Sequence, residues 1–144
     1  MLMENFSFEE LVVENKKIKK MLEKYQKEVK EYKAAFDFNP LAFVVWDKDR
    51  KVVNWNKGAE NIFGWNKDEI LGKDFFSYII PEYEKLKLQF KIEALFENIE
   101  ADSVNDNLRK DGEKIVCHWY SAPILNENGE VEAIISLASD ITEK

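Results

Sequence analysis

Asn56-Lys57-Gly58-Ala59-Glu60-Asn61-Ile62-Phe63-Gly64-Trp65-Asn66-Lys67-Asp68-Glu69-Ile70-Leu71-Gly72 is the stretch whose reading decides the fold. Asn56 carries a side-chain oxygen of the kind that accepts from the first N–H groups of a helix. Ala59, Ile62 and Phe63 follow at helical spacing, and Gly64 offers the left-handed residue on which a helix ends. A second helical turn, Asn66–Leu71, is stopped by Gly72.

On the N-terminal side, Leu41–Asp47 reads as a buried strand. Asp47-Lys48-Asp49-Arg50 is polar turn material, and Lys51–Trp55 resumes as a second strand, so the pair predicts a hairpin. On the C-terminal side, Phe75–Ile80 is short, apolar and ended by Pro81. Glu82–Phe96 predicts a longer helix with Tyr83, Leu86, Leu88, Ile92, Leu95 and Phe96 on its apolar stripe. The period then changes. Ser103–Lys110, Glu113–Leu125 and Val131–Ile141 read as strands, joined at Asp111-Gly112 and at Asn126-Glu127-Asn128-Gly129. Two strands, a helical insert and three strands predict an α+β fold, a five-stranded antiparallel sheet with helices on one face.

Residues 1–39 form a separate region. Ser7 and Glu10 have capping-box spacing, and Phe6 and Leu11 have the spacing of a hydrophobic staple. No Gly or Pro interrupts Phe8 to Asn39, and Pro40 predicts the stop. The apolar residues alternate by three and four. Phe8, Asn15, Leu22, Val29 and Phe36 take one heptad position, and Leu11, Ile18, Tyr25 and Tyr32 take the other. Such a narrow seam suits a two-stranded coiled coil. Asn15, its one polar residue, favours a parallel register, and Glu14–Lys19 and Glu28–Lys33 can attract across the seam. A helix folded back on its own domain is the alternative. Eight lysines here balance eight acidic residues. The other 105 residues hold 13 basic and 20 acidic ones, which is the whole net charge of −7. That sign opposes nucleic-acid binding.

Residues 56–65 resemble the helix pattern of the PAS domain family: Asn, two small residues, Glu, an apolar residue, Gly and an aromatic. Lys67–Lys73 is similar to the family's next signature. Arg109-Lys110-Asp111-Gly112 and Pro123-Ile124 fall at its hairpin turn and strand end. Asp140-Ile141-Thr142 resembles its exit motif. The resemblance covers residues 36–143. It implies a PAS domain over 40–144, preceded by a dimerising helix over 1–39. It further implies a sensor or relay that passes a ligand or upstream signal through Asp140, Ile141 and Thr142 to a C-terminal effector such as a histidine kinase or diguanylate cyclase. A ligand-free dimerisation scaffold is the alternative.

Aligned on the hairpin turn, the family places Cys117, Trp119 and Ser121 on the inner sheet face. Asn107, Ser136 and Ala138 then face the same space as a candidate ligand pocket. Val116, His118, Tyr120, Ile135 and Leu137 face outward. Haem-binding members generally use a His from the helical segment, and photoactive flavin members a Cys there. Residues 56–97 contain neither, which weighs against haem and against covalently reacting flavin. Noncovalent flavin, a small metabolite or an empty core stay open.

Other chemistry has little to build on. His118 and Cys117 are the chain's single His and Cys, too few for a zinc site. No Gly-rich phosphate loop occurs among five scattered glycines. No catalytic residues are assigned. The longest apolar run, Leu41–Trp46, is too short to span a bilayer, and no export leader opens the chain, so a cytoplasmic location is expected.

Overall fold

The computed structural model describes residues 7–143. Met1–Ala35 and Phe36–Lys144 are two compact units. The first unit is the greater part of one helix, α1 (Phe8–Phe38). The Ser7 hydroxyl accepts the Glu10 N–H and donates to the Glu10 carboxylate, both at 3.1 Å. Phe6, the expected staple partner, lies outside the described residues. No residue of α1 is buried, and Leu11, Ile18, Leu22, Tyr25, Val29 and Tyr32 are all exposed.

The second unit runs β1 (Ala42–Asp47), β2 (Val52–Trp55), α2 (Lys57–Phe63), α3 (Lys67–Ile70), α4 (Phe75–Ile79), α5 (Glu82–Phe96), β3 (Ala101–Leu108), β4 (Lys114–Leu125) and β5 (Val131–Asp140). One antiparallel sheet has the order β2-β1-β5-β4-β3. The expected elements are present, with ends within two residues of the sequence reading. Sheet register places Ala42 opposite Ala138, Val44 opposite Ser136 and Trp46 opposite Ile134. Side chains alternate across a sheet, so all six face inward. Each is at most 2 % exposed.

Aromatic side chains fill most of the interior. Trp55 contacts Phe63, Phe63 stacks on Trp119 at 5.6 Å, Trp119 meets Phe75 edge-on, and Phe75 stacks on Trp46. Such pairs contribute roughly 0.5–1.5 kcal/mol each beyond the burial of their area. The β3–β4 turn is fastened to this core by its own motif. Arg109 donates to the carbonyls of Ile62 (2.6 Å) and Asn61 (3.2 Å), and the Lys110 N–H donates to that of Phe63 (2.8 Å). Together these satisfy carbonyls that the end of α2 would leave unpaired.

One expectation needs correction. Tyr83 and Leu86 are 63 % and 79 % exposed and are no part of the buried stripe of α5. The buried positions are Glu84, Leu88, Ile92 and Leu95. Hydropathy alone misses the face because a carboxylate occupies one of its inner positions.

Candidate functional site

A cavity of about 50 Å³, counted as space open to water centres, lies between the inner sheet face, α4 and α5. Trp46, Phe75, Phe76 and Ile92 supply apolar wall, while Ser103, Asn105, Ser121 and Ser136 supply polar wall. Period-two alternation puts the polar groups there, because Ser103 and Asn105 on β3 share a face with Ser121 on β4 and Ser136 on β5.

Two hydrogen-bond chains organise that wall. The Trp46 indole N–H donates to Ser136 Oγ at 2.9 Å, and Ser136 shares a 2.7 Å bond with Ser121. In the second chain the Ser103 hydroxyl donates to Asn105 Oδ1, and Asn105 Nδ2 donates to Asn107 Oδ1 at 3.2 Å. The Trp119 indole also donates to Asn107 Oδ1, at 2.9 Å, and Asn107 Nδ2 donates to the Ile79 carbonyl. Buried polar groups require such partners, and these hold the wall in one arrangement.

The cavity's outer boundary is the seam between α5 and β3, an edge strand. Three α5 side chains stand where another strand would pair. Glu84 accepts the Asp106 N–H at 2.6 Å, Lys87 donates to the Val104 carbonyl at 3.1 Å, and Lys91 donates to the Asp102 carbonyl. Helix steps of three and four residues, about 4.5 and 6 Å, roughly match two-residue strand steps of about 6.6 Å. The rungs cover an edge that would otherwise be open to pairing.

Of the six residues assigned to the pocket, Trp119, Ser121 and Ser136 line the cavity. Asn107, Cys117 and Ala138 are buried on the same sheet face without lining it. Asn107 acts through the second chain by holding Asn105 and Trp119. Burial pushes the Cys117 thiol up to about 12, with Asp140 adding to the effect. Asn105, Ser103 and Lys91 were missed. The alternation Ser103-Val104-Asn105-Asp106-Asn107 could have indicated the first two, but Lys91 carries no such signal. On the outer face, His118 pairs with Asp102 at 2.7 Å. At the exit motif, Thr142 Oγ1 accepts the Val116 N–H, and the Asp140 carboxylate accepts the Thr142 N–H at 3.0 Å. The Ile141 N–H bonds the Val116 carbonyl.

Comparison with known proteins agrees with this fold. The family model described as PAS fold matches residues 30–141. A blue-light-activated histidine kinase of Brucella anthropi is 24 % identical over 123 residues, covering 82 % of this chain. The chain spans 25 % of that relative's length. The crystal structure of a PAS domain from Colwellia psychrerythraea is 26 % identical with a TM-score of 0.74, covering 81 % of this chain and 98 % of that one. A light-oxygen-voltage domain probed with a flavin analogue is 21 % identical with a TM-score of 0.66, covering 81 % and 86 %.

These relatives correct the expectation that weighed against covalently reacting flavin. A missing helical Cys bears on one covalent step; the kinase relative is named for blue light, and a solved neighbour of the same fold was probed with a flavin analogue. The wall offers amides and hydroxyls of the kind that orient a flavin's polar edge. As packed, the cavity has room for about one or two waters, far less than a three-ring group fills. No helix among the described residues is long and apolar enough to cross a membrane. With a family match that runs from the last turns of α1 through the helical insert to the end of β5, the chain belongs to the PAS family.

Proposed function

We propose that this chain is a cytoplasmic sensor and relay domain within a longer signalling protein. A small molecule held against Trp119, Ser121 and Ser136 shifts the balance between two arrangements of a homodimer. Asn107, Cys117 and Ala138 support that wall. The dimer forms through α1, with Phe8, Leu11, Asn15, Ile18, Leu22, Tyr25, Val29, Tyr32 and Phe36 along the seam, and through the PAS domain. Asp140, Ile141 and Thr142 pass the change to an effector of the histidine-kinase type, as the kinase relative suggests. The chain itself carries no catalytic role in this reading. Flavin, named for a neighbour, is among the ligands it admits.

The observation that carries the reading is the cavity, an apolar space into which a paired hydroxyl chain is turned. A ligand signals only by binding one arrangement better than the other. The small volume favours a second reading, a ligand-free dimerisation scaffold. Native mass spectrometry of the purified chain separates the two. A persistent co-purified small-molecule mass supports sensing, and a stably empty core supports the scaffold.

A further inference from the structure

Lys91 is the one charged residue among those lining the cavity. Its ammonium bonds a neutral acceptor, the Asp102 carbonyl, and among the described residues it forms no ion pair. Lys87, four residues earlier on the same helix, differs. It bonds the Val104 carbonyl and also has the Glu84 carboxylate at 3.6 Å. The rung at the cavity is therefore the one without a counter-charge.

The bond to the carbonyl is already charge-assisted on the donor side, but a carboxylate adds the attraction of an opposite full charge, so an ammonium held by a carbonyl gains from exchanging it for a carboxylate. The released Asp102 carbonyl lies on an edge strand, where water can take the place of Lys91. A space of about 50 Å³ restricts the ligand to a small molecule. We propose that the cavity takes a small monocarboxylate, with Lys91 leaving the Asp102 carbonyl to hold the carboxylate and the alkyl end lying against Trp46, Phe76 and Ile92. This rests on the sensor reading and names its ligand class. Binding also removes one of the three rungs between α5 and β3, so occupancy alters the mobility of the second half of α5.

The full chain is titrated with sodium butyrate, butan-1-ol and flavin mononucleotide, read by amide NMR shifts and tryptophan fluorescence. Butyrate is expected to bind at least tenfold more tightly than butanol and to shift amides at residues 88–95 and 101–105. Lys91→Met is expected to erase the preference while leaving butanol binding unchanged, and Lys91→Arg to keep it. Equal binding of butyrate and butanol, a preference that survives in Lys91→Met, or binding of flavin mononucleotide alone overturns the carboxylate assignment and leaves the sensor reading standing. If none of the three, nor xenon under pressure, perturbs Trp46 or Ser136, the sensor reading falls with it.

Discussion

The side-chain amide of Asn56 donates to the carbonyl of Phe36, twenty residues earlier in the chain, at 2.6 Å. The same amide donates to the Leu41 carbonyl at 3.0 Å, while its oxygen accepts the N–H groups of Phe43 and Ala59, each at 2.8 Å. One fully buried side chain thus caps α2, starts β1 and satisfies a carbonyl in the last turn of α1 that the helix leaves open. Asn56→Ala loses a cap, about 1 kcal/mol, and strands buried groups at about 1–3 kcal/mol each. Urea unfolding is expected to record a loss of roughly 3 kcal/mol or more. Asn56→Asp keeps the acceptor but turns an ionised oxygen on two carbonyls, so it is equally damaging at pH 7. It recovers in part at acid pH, where the protonated carboxyl donates again. A loss under about 1 kcal/mol for Asn56→Ala refutes the hub.

Gly58 sits beside this hub for a different reason. A Cβ built there meets the Leu41 carbonyl oxygen at 2.1 Å and that of Asn39 at 2.7 Å. Helix propensity alone makes Gly58→Ala stabilising by about 1 kcal/mol. The close backbone approach reverses the sign, and a net loss of about 1–3 kcal/mol is expected from the forced shift. A raised thermal midpoint in Gly58→Ala refutes the close approach.

The contrast between these residues explains what the sequence reveals. Caps, stops and alternation are local, so Asn56, Gly64 and the five strands are legible from their neighbours. Asn56 reads correctly as a cap, but its bonds to Phe36 and Leu41 connect residues whose proximity only the fold creates. The inner wall is half legible for the same reason. Strand parity groups Trp119 and Ser121 on one face and the family resemblance turns that face inward, whereas Lys91 reaches the cavity because α5 lies along the β3 edge.

The corrected face of α5 gives a paired test. Leu88 is 6 % exposed and Phe90 is 81 % exposed. Leu88→Ala is expected to lose about 2–4 kcal/mol through the space it leaves. Phe90→Ala removes a larger side chain yet is expected to change stability by less than about 0.5 kcal/mol. Urea midpoints that rank the two the other way place the wrong face of α5 in the core.

Cys117 predicts an alkaline weakness. Its thiol is raised to about 12 by burial, while an unfolded thiol titrates near 8.5–9. Below about pH 8 both states keep the proton, and the stability that goes with the buried neutral thiol is fully present. As the pH rises toward 12 the unfolded chain loses its proton first, and that contribution falls away. Cys117→Ala is expected to be less stable at pH 7, by about 1 kcal/mol, yet to lose less stability than the parent between pH 9 and 11. Maleimide labelling of the native parent is expected to follow unfolding. Parallel stability curves for the two proteins, or rapid native labelling, contradict the buried neutral thiol.

The pairing proposed for α1 is tested along its seam. Ile18, Leu22, Tyr25 and Val29 are 54–61 % exposed in the single chain, and a parallel partner would cover them. Leu22→Asp with Val29→Asp puts like charges into that seam and is expected to convert the dimer to monomer in sedimentation equilibrium, with the melting of the PAS unit unchanged. Asn15→Leu acts in the opposite direction. It removes a polar group that favours register over stability, so the dimer tightens, while the oligomer number loosens from two. The two variants discriminate between models, because a helix lying on its own domain would lose intrachain packing in the first and gain no association in the second. Unchanged sedimentation in both removes the coiled coil, and with it the route by which a ligand in the core would act on a partner copy.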